Sequence, residues 1–596
     1  MAAPLVYTSS MGKKLSGLYV AEIKKQYKDR TYTSFLLRRS YREDGTVKQQ
    51  TLANLSSLPP DAIFILRDVL RGNTYAPQDQ ALECIATRSH GHVAAIAAMA
   101  DQLGLAELLD PEPSPERDLV QALVVARLVR PLTKLATTRW WQTTTLIDDP
   151  VVAAASPEDV YKALDWLIQR QGRLERILAR RHLREGAMVL YDLSSSFVEG
   201  THCPLASFGH NRDRKQGKRQ INYGLLTDAE GRPVAIEVFP GNTADPKTVE
   251  VQLNKLKKRF HLGRVVLVGD RGMLTSARID VLRKRGGIDW LSALRAKEIQ
   301  ALAGQGLVPL SIFDERDRAE IHSPDFPGER LVVCRNPLLA EERARHREAL
   351  MAATEKMLER LSLRVRNGRL KRQEKIAEAL GRIKNRFKVA KHFECVIGEG
   401  EFRYQRREES IQREASLDGI YVVRTSVPAE ELKTDDVVLS YKRLSRVERA
   451  FRTMKSVELR VRPIHHWTPN RVRAHFLLCM LAYYVEWHLR QAWRPFLFDD
   501  EHPGTRQGDS PVSPAVRSPE ARAKALTKQT VEGWPVHSFV TLLANLGTIA
   551  SNTMRVPNPP EAPTFNVITT PTPFQTEVLK RVGVDLLRSR RQNKMA

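Results

Sequence analysis

The segment from residue 187 to 295 constrains the fold more than any other part of the chain. Short apolar runs alternate there with amphipathic stretches: AMVLYDLSSSF (187–197), INYGLLTDAEGRPVAIEVFPGN (221–242), PKTVEVQLNKLKKRF (246–260), VVLVGDRG (265–272), TSARIDVLRKRG (275–286) and IDWLSALR (288–295). Continuous apolar runs closed by turn residues suit strands covered on both faces. The second segment holds two such runs joined at Asp228-Ala229-Glu230-Gly231. The resulting order β-β-β-α-β-α-β predicts an α/β fold built on a mixed sheet.

Either side of this segment the style differs. Residues 31–55 read as a β-hairpin, because two alternating stretches flank Glu43-Asp44-Gly45 and Asp-Gly is a strong short hairpin signal. Residues 89–181 keep helical spacing, with Val160, Ala163, Leu164, Leu167 and Ile168 on one face. From 297 to 417 long helical stretches interrupt the sheet pattern, and residues 335–391 hold 17 Lys or Arg against 7 Glu. Such a run is either a solvated helical hairpin or a surface that tracks phosphates. LDGIYVVRTS (417–426) returns to strand character. A single helix is expected over TDDVVLSYKRLSRVERAFRTMKS (434–456), and an apolar helix around 474–490. Residues 497–530 read as a linker, and the remainder as a loose tail with one or two helices.

Charge narrows the class of partner. The 596 residues carry 94 Lys and Arg against 69 Asp and Glu, a net charge of +25, which favours a polyanion such as nucleic acid. Five scattered cysteines with no CxxC argue against a disulfide framework or a zinc site and for a reducing compartment. The N-terminus, MAAPLVYTSSMGKKLSG, lacks a signal-peptide core. The longest apolar run, 476–485, is about half a membrane span and is closed by Glu486. A cytoplasmic protein without a membrane partner is expected.

Two acids end apolar runs on core strands, Asp192 and Asp270. A carboxylate there is unfavourable unless something pairs with it, and a hard divalent cation such as Mg²⁺ accepts one or two protein carboxylates together with water and substrate phosphate. A third acid lies after the interruption. Tyr441, Glu448 and Lys455 are spaced by seven residues, so on one helix they share a face, with Arg452 one turn beyond Glu448. Leu444, Val447, Phe451 and Met454 form the adjoining apolar stripe. The bland reading is an amphipathic helix with a Glu–Arg pair. A phosphatase with two strand-end aspartates would explain neither the charge nor this helix.

Asp192, Asp270 and Glu448 resemble the DDE triad of bacterial insertion-sequence transposases with an RNase H-like catalytic core. The match is to the group whose last acid lies in a Tyr-x2-Arg-x3-Glu-x6-Lys signature. Tyr441, Glu448 and Lys455 fit that spacing, while the arginine slot holds Leu444, flanked by Arg443 and Arg446. PGNTADP (240–246), GDRGM (269–273), LDGIYVVRT (417–425) and VERAFRTMKSVELRVRPIHHW (447–467) extend the similarity, strongest over 187–490. It is weaker in SYREDGTVKQQTLANL (40–55) and around PLTKLATTRWW (131–141).

The resemblance implies an α/β protein: an RNase H-like mixed β-sheet core interrupted by an inserted α+β subdomain, with an N-terminal β-hairpin plus a helical region. The expected divisions are 1–88 (β-hairpin region), 89–184 (helical DNA-recognition region), 185–296 (core, first part), 297–417 (inserted basic subdomain), 418–496 (core, second part) and 497–596 (linker and C-terminal extension). It implies Mg²⁺-dependent cleavage at element ends and strand transfer into target DNA, with two ions and Mn²⁺ able to substitute. Two ions roughly 3.5–4 Å apart can activate an attacking oxygen and stabilise a leaving one. Asp192 would bridge them, Asp270 would hold one and Glu448 the other. Arg271, Tyr441, Arg452 and Lys455 would hold DNA phosphates. Partners would be double-stranded DNA, as terminal inverted repeats and target, and a second copy of the chain in a homodimer. The enzyme would be cytoplasmic and nucleoid-associated when on DNA. A two-metal nuclease or resolvase without strand transfer, or an inactive transposase-derived DNA-binding protein, are the alternatives.

Three further groups invite a function but fit packing better: His465-His466-Trp467 as a loop, Trp290 in the core rather than stacked on a flipped base, and Thr138-Arg139-Trp140-Trp141 as packing rather than a DNA contact.

Overall fold

The computed structural model of the chain describes residues 5–8, 17–28, 30–72, 74–77, 82–213, 215–308, 317–455, 458–501, 512, 517–557 and 563–586. Most of the N-terminal stretch read for a signal peptide, and 502–511 and 513–516 of the expected linker, lie outside these residues. Two compact units form, one of residues 1–95, 139–153 and 541–596, the other of residues 96–138 and 154–540.

The first unit carries the hairpin. Arg30–Glu43 pairs with Thr46–Asn54, and Asp44 and Gly45 both take positive φ, 50° and 78°. That pair of left-handed residues is what a two-residue hairpin turn requires. A third strand, Leu18–Tyr27, extends the sheet beyond the expected hairpin. The tail is more ordered than expected: Ala550–Arg555 pairs with both Glu83–Ser89 and Phe565–Ile568, so strands from the two ends of the sequence share one sheet. Pairing between segments this far apart leaves no local signal.

The second unit is built on an eight-stranded sheet. Its strands are β1 (Ala187–Phe197), β2 (Gln220–Asp228), β3 (Pro233–Pro240), β4 (Val265–Gly269), β5 (Ile288–Ala293), β6 (Arg318–Ile321), β7 (Arg330–Arg335) and β8 (Ile420–Thr425). They lie in the order β6-β7-β8-β5-β4-β1-β2-β3. β1, β4 and β5 run parallel; β2 and β3 continue antiparallel from β1, and β8, β7 and β6 antiparallel from β5. Every residue of β4 is buried, as its unbroken apolar run predicts, and so is every residue of β2, including the polar Gln220, Asn222, Thr227 and Asp228.

Among the helices of this unit are α1 (Pro115–Val129), α2 (Pro157–Gln169), α3 (Asp245–Asn254), α4 (Ser276–Arg285), α5 (Pro337–Arg366), α6 (Gln373–Phe387), α7 (Thr434–Lys442), α8 (Leu444–Lys455) and α9 (Pro469–Ala492). α9 packs against β3 and α8 and against α1 and α2. Its residues from Ala474 to Glu486 are all buried, so its all-round apolar sequence is that of an interior helix. No described helix is long and apolar enough to cross a membrane.

The interruption divides its allegiance. β6 and β7 extend the main sheet, whereas α5, α6 and the hairpin Phe393–Gly398/Glu401–Arg406 enclose a core of their own around Met351, Leu358, Ile376, Leu380 and Phe402. Residues 309–316 of this stretch lie outside the described ones.

A further expectation is corrected. The helix over 434–456 is two helices, α7 and α8, with a turn at Arg443, whose N–H reaches the carbonyls of both Leu439 and Ser440. The halves bury different faces. α7 lays Val437 and Val438 against the β4, β5, β7 and β8 side of the sheet, while α8 turns Val447, Ala450, Phe451 and Met454 onto β1 and β2.

Candidate active site

The parallel register of β1 and β4 brings the first two acids side by side. Gly269 pairs with Tyr191, so the residues that follow are brought side by side, Asp270 just past the end of β4 and Asp192 within β1. In-register residues of a parallel pair point to the same face and lie roughly 5 Å apart along the hydrogen-bonding direction. Asp192 is not at the end of its own strand, which runs on to Phe197 paired with β2. It stands where β4, its parallel neighbour, stops. A crevice opens at that point, where α/β sheets bind ligands.

Both acids are held by local structure. The Leu193 N–H donates to Asp192 Oδ1 at 2.7 Å. Beyond β4 the chain folds back on itself: the N–H groups of Met273 and Leu274 donate to the Asp270 carbonyl, and that of Gly272 to Asp270 Oδ2 at 3.3 Å. The buried Ser292 hydroxyl donates to the Gly269 carbonyl at 2.9 Å and ties β5 to the strand end that presents Asp270.

Glu448 comes from above, on α8. The helix is fixed by its apolar face, where Phe451 meets Tyr223 edge to face at 5.5 Å and Tyr223 packs on Phe476 at 4.3 Å. Its first turn is pinned by Arg446, which donates to the Ala229 carbonyl and pairs with Glu230 at 3.0 Å in the β2–β3 turn. Arg446, one neighbour of the empty arginine slot, is thus occupied in holding the helix. Glu448 and Arg452 are exposed on the outer side of α8, and Arg271 is exposed beyond β4.

The electrostatics link these groups. Burial, and to a lesser degree the charges of Asp270 and Glu448, push the Asp192 carboxyl up to about 7, against the hydrogen bond from the Leu193 N–H and a smaller pull from Arg212. Tyr441, half-buried at the end of α7, is pushed up by burial and by Asp270, Glu448 and Asp192 together, with Arg271 opposing. The Tyr441 hydroxyl therefore feels all three acids although it lies on a different helix from Glu448. Among the described residues no three His, Cys, Asp or Glu side chains form a ready-made metal cage. A carboxyl raised by its burial and by two neighbouring acids is nonetheless the donor chemistry a hard divalent cation relieves. Mg²⁺ in particular completes its shell with water and substrate oxygens instead of an all-protein cage.

Lys455 has a partner that its sequence position does not reveal. Its ammonium lies 3.1 Å from Asp213, which also receives the Arg462 guanidinium at 2.5 Å and the Phe197 N–H at 3.2 Å. The Asp213 side chain is 1% exposed. Arg212 beside it pairs with Asp245 at 2.6 Å at the start of α3. Asp213, Arg212 and Arg462 brace the loop between β1 and β2 against the end of α8. The motifs PGNTADP and RPIHHW contain Asp245 and Arg462, but nothing in their spacing names Asp213 as the partner.

The weaker candidates divide, with His465, Trp467 and Arg139 exposed and the rest packed. His466 is half-buried and held down to about 3 by the loss of water around it, against Tyr161 and His475. Trp290 is buried and its Nε1–H donates to Glu329 at 3.2 Å. Trp140 and Trp141 are buried, whereas Trp467 is exposed.

Two family models match the chain. The transposase DDE domain matches residues 192–485, a span that begins at Asp192 and includes Asp270 and Glu448. The N-terminal domain of IS1634 family transposases matches residues 20–81, which contain the hairpin sheet. The chain belongs to the insertion-sequence DDE transposases, enzymes that cut and join DNA. Enzymes of this family use divalent metal ions. No curated protein matches the sequence. Among solved structures, a piggyBac transposase synaptic complex with hairpin DNA is 9% identical over 85% of this chain and 82% of that one, with a TM-score of 0.31. The Mos1 transposase paired-end complex with the left transposon end is 12% identical over 32% of this chain and 62% of that one, with a TM-score of 0.14.

Proposed function

We propose that Asp192, Asp270 and Glu448 are the acids through which this transposase cuts its element's ends and joins them to target DNA. The observation that carries the reading is the adjacency of Asp192 and Asp270 in the β1–β4 register, with the Glu448 charge felt by Asp192 from α8. The strand order β3-β2-β1-β4-β5, antiparallel then parallel, supports an RNase H-like core.

Two Mg²⁺ ions, or Mn²⁺ in their place, would activate the attacking oxygen and offset charge on the leaving oxygen when bound. Asp192 would contact both, Asp270 one and Glu448 the other, because the aspartates stand side by side in the middle of the sheet where β4 ends and the glutamate approaches from a separate helix. Arg271 and Arg452, both exposed, would grip phosphate oxygens on either side of the scissile bond. The Tyr441 hydroxyl stays protonated throughout the working pH range and would donate a hydrogen bond to a phosphate oxygen. Lys455 reaches DNA less directly: its bond to Asp213 makes it a positioning residue for the loop after β1. The DNA would be duplex, as terminal inverted repeats and target. A homodimer would hold two ends together on the nucleoid.

Incubation of the full chain with duplex carrying the element's terminal repeat and Mg²⁺ should give nicks at the repeat boundary. A pre-cleaved 3′ end should become joined to a second duplex. Asp192→Asn, Asp270→Asn and Glu448→Gln should each abolish both products while leaving duplex binding within about two-fold, since the triad touches few phosphates. Nicking without joining would reduce the assignment to a nuclease.

A further inference from the structure

A second cationic feature lies away from the acids. Between α1, α2 and the loop after α8 is a cavity of about 320 Å³, lined among others by Arg127, Lys134, Arg460, Arg462, His465 and His466. None of its lining residues is acidic. Arg127 is 6% exposed and donates to the Leu459 carbonyl at 3.3 Å. Lys134 is 5% exposed, and among the described residues no hydrogen bond or ion pair holds its ammonium.

Two buried cations side by side without an acid are strongly unfavourable, since each needs a counter-charge once water is removed. An anion arriving at such a place supplies that counter-charge. The lining fits a compact oxyanion. Arg127 and Arg462 present forked N–H donors, Lys134 supplies a point charge, and Arg460 stands exposed at the rim. His466 and His475 are held neutral by burial and contribute shape without further charge. Burial and the neighbouring Arg127 hold the Lys134 ammonium down to about 7, a penalty that an arriving anion removes.

We propose that this cavity is a phosphate-binding site, in which Lys134 and Arg127 form the floor and Arg460 and Arg462 the mouth. The occupant carries a phosphate group, either a phosphodiester of bound DNA or a free phosphorylated small molecule. Arg462 also holds Asp213, which holds Lys455 at the end of the Glu448 helix. An anion that draws on Arg462 therefore loosens or tightens the brace of the candidate active site. The site rests on the cavity's own lining and not on the catalytic reading.

The test uses the full chain and two variants, Lys134→Met, which keeps the stem and removes the charge, and Arg460→Asn at the rim. Arg460 has positive φ, 44°, which Asn tolerates. Calorimetric titration with inorganic phosphate and pyrophosphate, without DNA or metal, reads the free-anion arm. Titration with duplex at several salt concentrations reads the other. If a free phosphorylated compound is the occupant, the anions bind the native chain and each variant weakens them about ten-fold or more. If DNA is the occupant, the anions bind weakly, while each variant weakens duplex binding and lowers the salt slope by about one contact. Anion and duplex binding both unchanged in the two variants would overturn the proposal. Neither arm reads cleavage, so failure of the triad assignment leaves this test standing.

Discussion

Asp192→Asn should stabilise the metal-free protein at alkaline pH while abolishing its activity. The Asp192 carboxyl is raised from 3.8 to about 7, chiefly by burial and then by the charges of Asp270 and Glu448. A carboxyl whose folded-state value is raised binds more protons folded than unfolded between pH 3.8 and about 7. Stability is therefore lost as pH rises through that window, and the loss is complete above it. At 1.36 kcal/mol per unit, the full displacement corresponds to about 4 kcal/mol. Asp192 is half-buried, so solvent screening brings the expected effect to about 2 kcal/mol. The amide oxygen of Asn can still accept the Leu193 N–H, so little else is lost. Thermal unfolding of both proteins in EDTA at pH 5 and pH 8 reads the effect. The variant's margin over the native chain should be small at pH 5, low in that window, and grow to a few degrees at pH 8. Mg²⁺ at pH 8 should then stabilise the native chain alone. A variant less stable than the native chain at pH 8 in EDTA would refute the reasoning, because it would mean that the ionised carboxylate is already compensated.

Three other perturbations follow from the same geometry. Asp213→Ala leaves Lys455 and Arg462 facing each other without their shared acid, and should destabilise the second unit by about 3–5 kcal/mol in urea unfolding. Tyr441→Phe keeps the ring and removes the hydroxyl; cleavage should fall about ten- to a hundred-fold with an unchanged unfolding midpoint. Arg446→Ala unpins the first turn of α8 from the β2–β3 turn, and should lower cleavage more than duplex binding in paired kinetic and gel-shift assays.

Much of this site is legible in the sequence because its strands are buried on both faces. AMVLYDLSSSF and VVLVGDRG announce themselves as unbroken apolar runs, and the acids within them stand out. Their adjacency is less legible, for it depends on β4 pairing parallel with β1 after an intervening hairpin and helix. The break at Arg443 is hidden because Val437, Val438, Leu444, Val447 and Phe451 are apolar on either side of it. Only the tertiary surfaces they meet show that they belong to different faces. Asp213 is hidden for a related reason, since its partners Lys455 and Arg462 lie far along the chain. The strand Ala550–Arg555 has intermediate burial throughout and pairs with Glu83–Ser89 from the opposite end of the sequence, so neither periodicity nor a turn marks it.

The claim on which the account turns is that Asp192, Asp270 and Glu448 grip divalent cations at one place. Replacing Mg²⁺ by Fe²⁺ and adding peroxide, with terminal-repeat duplex bound, cuts a polypeptide next to wherever the iron is held. The account predicts backbone cuts near residues 192, 270 and 448 together, suppressed by excess Mg²⁺ and lost in Asp192→Asn. Cuts confined to one of the three, or clustered elsewhere in the chain, would contradict it.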